Sequence, residues 1–74
     1  MMTTLDVKGL QCPLPVLRAN KLLRQMQPGD EVQVIATDPA APKDFVSFCE
    51  TTGHCLVASD QADGVFTITL RKAG

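Results

Sequence analysis

TTLDVKGLQCPLPVLRANKLLRQMQPGDEVQVIAT, residues 3–37, changes its periodicity twice, and those two changes decide the fold. Thr3 to Val7 alternates, with Leu5 and Val7 apolar around Asp6, as a half-buried strand does. Lys8 to Gln11 is a short loop containing Gly9. From Pro13 to about Gln27 the period becomes helical, and Val16, Ala19, Leu22, Leu23 and Met26 share one stripe. Pro28-Gly29 stops that helix and turns the chain. Glu31 to Thr37 alternates again, with Val32, Val34 and Ala36 on one face. A strand, a helix and a second strand in this order predict a parallel pair joined by a right-handed crossover.

The rest of the chain extends the pattern. Asp38-Pro39 ends the second strand, and Ala40 to Thr52 predicts a shorter helix with Pro42 near its start and Gly53 as its stop. Phe45, Phe48 and Cys49 lie on one side of it. His54 to Ser59 reads as a third strand, with Leu56 and Ala58 opposite Cys55 and Val57. Asp60 to Gly64 carries turn chemistry. In Val65 to Arg71, Phe66, Ile68 and Leu70 face in, while Thr67, Thr69 and Arg71 face out. Alternating strands imply one wet sheet face, so both helices should cover the other. The expected fold is an α+β, two-layer α/β sandwich in the order β-α-β-α-β-β.

With 74 residues the chain is expected to be one domain, residues 1–74. Seven basic and eight acidic side chains give a net charge of -1, which argues against a stable nucleic-acid interface. Three cysteines without a CxxC pair argue against a disulfide scaffold and point to a reducing, cytoplasmic setting. The first six residues lack the basic and apolar regions of a signal peptide, and no stretch is apolar enough for a membrane span.

Cys12 is the chemically distinctive residue. It precedes Pro13-Leu14-Pro15, and proline is accepted in a helix's first turn, where its missing N–H had no partner. Pro13 is thus read as the first helical residue, with Cys12 just before it. A helix start favours a thiolate, so the sequence predicts a mild lowering of the Cys12 pKa, kept small because two prolines remove first-turn donors. No second thiol follows closely enough to attack a sulfur carried on Cys12 and release it.

Asp6, Gly9, Cys12, Pro13 and Pro15 match D-x-x-G-x-x-C-P-x-P, and with Gly29, Asp38-Pro39, Asp44, Phe48-Cys49 and Arg71-Lys72 the chain resembles the TusA/SirA sulfur-carrier family. The resemblance runs from about Leu5 to Gly74. It implies a four-stranded mixed sheet in the order 1-2-4-3 with two helices on one face. It also implies a persulfide on Cys12, filled by a cysteine desulfurase and emptied by a downstream sulfur-relay protein. The implied end use is 2-thiolation of a tRNA wobble uridine. Other members of the family serve molybdenum-cofactor or sulfur-oxidation pathways.

The remaining candidates have plainer readings. Asp6 and Gly9 are structural: Gly9 permits a tight loop and Asp6 bonds its N–H groups. Cys49 and Cys55 pack as small hydrophobes, and His54 is a surface or strand-edge residue. These three do not converge well enough for a metal site, and no cofactor is expected. Arg18, Lys21 and Arg24 lie off the core stripe of the first helix, with Leu14 and Leu17 among them. This is a solvated basic face or a docking surface that steers acidic partners towards Cys12.

The sequence carries no acid–base pair or phosphate loop, so the expectation is a monomeric relay participant rather than a free-standing enzyme. Three rival readings differ in kind. A ubiquitin-like carrier would load its C-terminus, here Ala73-Gly74. A small RNA-binding module would want aromatic platforms, and the chain has no Tyr or Trp. A thiol-based regulator would form a sulfenic acid on Cys12.

Overall fold

The computed structural model describes residues 2–73. Met1 and Gly74, and with Gly74 the final position of the tail, lie outside the described residues. The elements are β1 (Met2–Asp6), α1 (Leu14–Arg24), β2 (Glu31–Ala36), α2 (Ala41–Thr52), β3 (Cys55–Ala62) and β4 (Val65–Arg71). They form one four-stranded sheet in the order β1-β2-β4-β3. β1 runs parallel to β2, whereas β4 is antiparallel to both β2 and β3. The mixed sheet, the element order and the two layers agree with the sequence reading.

The core lies between the inner sheet face and the two helices. Val32, Val34 and Ala36 of β2 and Ile68 and Leu70 of β4 are fully buried, together with Ala19 and Leu23 of α1 and Phe45 of α2. The Phe45 and Phe48 rings meet edge to face, with centroids 6.2 Å apart at 87°. Such a pair adds about 0.5–1.5 kcal/mol to the burial itself.

Both helix boundaries move inward from the predicted ones. Pro13 has φ -98° and ψ 15° and stands outside α1, with Pro15 in the first turn. The Leu14 N–H bonds the Gln11 carbonyl at 2.8 Å, so a turn precedes the helix proper. At the other end, the Gln25 and Met26 N–H groups bond the carbonyls three residues back, and this tightening ends α1 before Gln27. A turn over Gln27 to Asp30 follows, closed by the Asp30 N–H on the Gln27 carbonyl at 3.0 Å. Gly29 takes φ +90° there, which a type II turn after proline requires.

β3 departs most from expectation. It continues to Ala62, and only Asp63 and Gly64, both with positive φ, make the hairpin turn. The predicted turn over Asp60 to Gly64 was too long because polar residues also suit an exposed edge strand. A bulge between Leu56 and Ala58 changes the register. Leu56 pairs with the inward Leu70, but Ala58 pairs with the outward Thr69. Ala58 therefore leaves the face it was expected to share with Leu56, since an extra residue shifts a period of two. Cys55 opposes Arg71 on the outer face and is exposed, so it does not pack as a buried hydrophobe.

The tail stitches one end of the sheet. Gly29 N–H bonds the Lys72 carbonyl at 3.0 Å, and Lys72 N–H bonds the Asp30 carbonyl at 2.8 Å. The Lys72 ammonium reaches the Leu23 carbonyl at 2.6 Å, capping the C-terminal end of α1. Arg71 pairs with Glu31 at 2.8 Å. His54, half-buried beside Phe48, accepts the Ala73 N–H on Nδ1 at 3.0 Å. It precedes β3 and anchors the tail, a role its expected surface placement did not include. Burial and the nearby Lys72 lower its pKa.

Candidate functional site

Cys12 stands at the opposite end of β2, in the connection from β1 to α1. Its loop is built from short polar clamps. The Asp6 carboxylate accepts the Lys8 N–H at 3.0 Å. Gly9 takes φ +83°, which brings its N–H to 2.9 Å from the Thr37 hydroxyl. Asp38 makes the decisive contact: one carboxylate oxygen accepts the Cys12 N–H at 2.7 Å, and the other accepts the Ala40 N–H at 3.2 Å. A single side chain thus ties the cysteine loop to the approach to α2.

Cys12 is exposed, as is Cys55, whereas Cys49 is buried. Burial pushes the Cys49 thiol up, with a smaller contribution from Cys55. Among the described residues no three or more His, Cys, Asp or Glu side chains are grouped to hold a metal ion.

The expected lowering of the Cys12 pKa is overturned: it is raised. A hydrogen bond to the Asp44 carboxylate is the largest cause, followed by desolvation and by the charges of Asp44 and Asp38. The physical reason lies in both partners. The helix start is weak here, because the Leu14 N–H is taken by Gln11 and Pro15 has none. Two carboxylates meanwhile disfavour a third negative charge.

Cys12 separates two depressions. One, of about 480 Å³, is lined by Gly9, Gln11, Thr37, Asp38 and Pro39 among others. The second, of about 340 Å³, lies between the helices, with Pro13, Val16 and Phe48 on its apolar side and Asp44, Ser47 and Thr51 at its polar margin. Leu14 and Leu17 are exposed on α1. Arg18 and Lys21 instead flank a third hollow with Leu5 and Leu22, away from both depressions at Cys12. Arg24 is exposed at the last turn of α1.

The sequence reading gives Asp38 a place at the end of the second strand and Asp44 a place in the resemblance, with no role at the thiol for either. The Asp-Pro pair before a helix does signal a local turn and the Ala40 contact. Nothing local signals their approach to Cys12.

Comparison with known proteins agrees with this architecture. Residues 3–72 match the family described as Sulfurtransferase TusA. A relative from Neisseria meningitidis serogroup A, which bears a provisional sulfur-carrier name, is 57% identical over 68 residues, covering 92% of each chain. The sulfur carrier protein TusA of Allochromatium vinosum is 46% identical over 69 residues, covering 93% of this chain and 91% of that one. The crystal structure of a SirA-like protein from Desulfitobacterium hafniense superposes with a TM-score of 0.84 at 28% identity and full coverage of both chains. The cysteine loop, the mixed sheet and these matches agree over nearly the whole length: the chain belongs to the TusA family.

Proposed function

We propose that this protein is a sulfur carrier that cycles Cys12 between thiol and persulfide. The observation that carries the reading is the presentation of Cys12: its side chain is exposed between two depressions while its backbone is held by Asp38. Transfer between proteins needs an accessible sulfur on a fixed support. In loading, the Cys12 thiolate attacks the outer sulfur of a donor persulfide. A new S–S bond forms at Cys12, the donor's S–S bond breaks, and the donor leaves as a thiolate that takes up a proton. No external oxidant or reductant is needed. Unloading repeats the exchange with an acceptor thiolate as the attacker.

The donor in this reading is a cysteine desulfurase and the acceptor a sulfur-relay protein, with tRNA wobble-uridine 2-thiolation as the end use. Asp6, Gly9, Pro13 and Pro15 shape the cysteine loop, and the exposed α1 face with Leu14, Leu17, Arg18, Lys21 and Arg24 provides a second contact with partners. The setting is the cytoplasm, and the working form is a monomeric single domain without a cofactor. No helix among the described residues is long and apolar enough to cross a membrane.

Incubation with a cysteine desulfurase and cysteine, followed by intact mass, tests the assignment. One reductant-labile sulfur should add to the wild type and not to Cys12→Ser. Equal loading of both proteins would remove Cys12 from the reaction.

A further inference from the structure

Resting on that carrier reading, we propose that the groove between α1 and α2 seats a partner loop in which a cationic side chain neighbours the sulfur-bearing cysteine, the cation pairing with Asp44. This assigns a docking site and a partner chemistry distinct from the basic outer face of α1.

Three observations converge on the groove. Cys12 and Asp44 line the same depression from different elements, so a partner sulfur brought to Cys12 also meets the carboxylate. Pro13, Val16 and Phe48 give that depression an apolar side that accepts the body of a loop, with Ser47 and Thr51 available to its backbone. Charge selects the occupant. Asp38 lies on the other side of Cys12, and neither ion pair seen among the described residues engages Asp38 or Asp44. Two carboxylates around one reacting sulfur favour a positively charged visitor and disfavour a negative one.

Docking of this kind would also alter the thiol. In the isolated protein Asp44 is the main group holding Cys12 protonated. A partner cation that pairs with Asp44 offsets this charge and favours the thiolate. Recognition and nucleophile formation would therefore be coupled, and the free carrier would react slowly with unrelated disulfides. The charged groups acting on Cys12 are Asp44 from α2 and Asp38 from the loop before it.

Two small disulfides of opposite charge provide the test. Cystamine carries two ammonium groups and 3,3′-dithiodipropionate two carboxylates. Each forms a mixed disulfide with Cys12 and releases one reduced half. Rates are read by mass spectrometry at low ionic strength in a Cys55→Ser background, which removes the other exposed thiol. A changed thiolate fraction affects both reagents alike, so the ratio of their rates isolates pairing with the carboxylate. Asp44→Asn should lower the cystamine-to-dithiodipropionate ratio by roughly two- to five-fold, the effect of one partly screened charge pair. Asp44→Glu should largely preserve the ratio, and Glu50→Gln, elsewhere on α2, should leave it unchanged. A ratio unmoved by Asp44→Asn overturns the groove assignment even if desulfurase loads Cys12. Failed loading with the charge preference intact removes the carrier reading, and with it the sulfur-bearing partner, and leaves only the pairing of a cation with Asp44 beside Cys12.

Discussion

The two ends of β2 are built in opposite ways. At its start, the tail, α1 and β4 are knitted by backbone bonds at Gly29 and Lys72, by the Lys72 ammonium on Leu23 and by the Arg71–Glu31 pair. At its finish, Asp38 and Thr37 fix a loop whose reactive side chain remains open to solvent. The first end spends its polar groups on one another, while the second clamps backbone N–H groups with the Thr37 and Asp38 side chains and leaves the sulfur exposed. Cys12 thus stays exposed on a loop whose backbone Asp38 fixes locally.

The largest perturbation should erase this contrast. Phe45 is fully buried in the core, and Phe45→Ala should destabilise by about 3–5 kcal/mol, read by denaturant unfolding. A loss below 1 kcal/mol would mean that the two ends do not depend on a shared core. Asp38→Ala should act locally at the open end. Losing its two backbone bonds costs about 1–2 kcal/mol, and hydrogen exchange should speed up at the Cys12 and Ala40 amides before it does at Gly29. Uniform acceleration would contradict the division.

Lys72→Met tests the stitched end with a smaller effect. It removes the ammonium from the Leu23 carbonyl and should cost about 0.5–1 kcal/mol in thermal or denaturant melts, with the alkylation rate of Cys12 unchanged. The smallest effect should be the pH response of His54. Its pKa is lowered in the folded protein, so its contribution is present above the ordinary value of 6.5 and is lost as pH falls through the lowered folded value. Between pH 7.5 and 5.5, His54→Asn should therefore lose less melting temperature than the wild type. A steeper loss would reverse the assigned sign.

Much of this molecule is readable from its chain. The alternations in residues 3–7, 31–37 and 65–71 and the stripe through Val16, Ala19 and Leu23 specify strands and helices, because periods of 2 and 3.6 reflect backbone geometry alone. The Pro28-Gly29 turn obeys an equally local rule, whereas the expected Asp60 to Gly64 turn shortens to Asp63-Gly64 because β3 runs on to Ala62. The Leu56–Ala58 bulge was not readable, since a bulge is a relation between two strands.

The same divide governs Cys12. Its place before a proline-rich helix start, and hence its candidacy as the working sulfur, is written in consecutive residues. Its ionisation is not: local reasoning from the helix start predicted a lowered pKa, and the folded protein raises it. The opposing carboxylates are remote in the chain, Asp38 lying 26 positions beyond Cys12, and only packing of α2 beside α1 brings Asp44 to the thiol. Electrostatic energy depends on distance through space, and that distance does not exist until the helices and sheet have assembled.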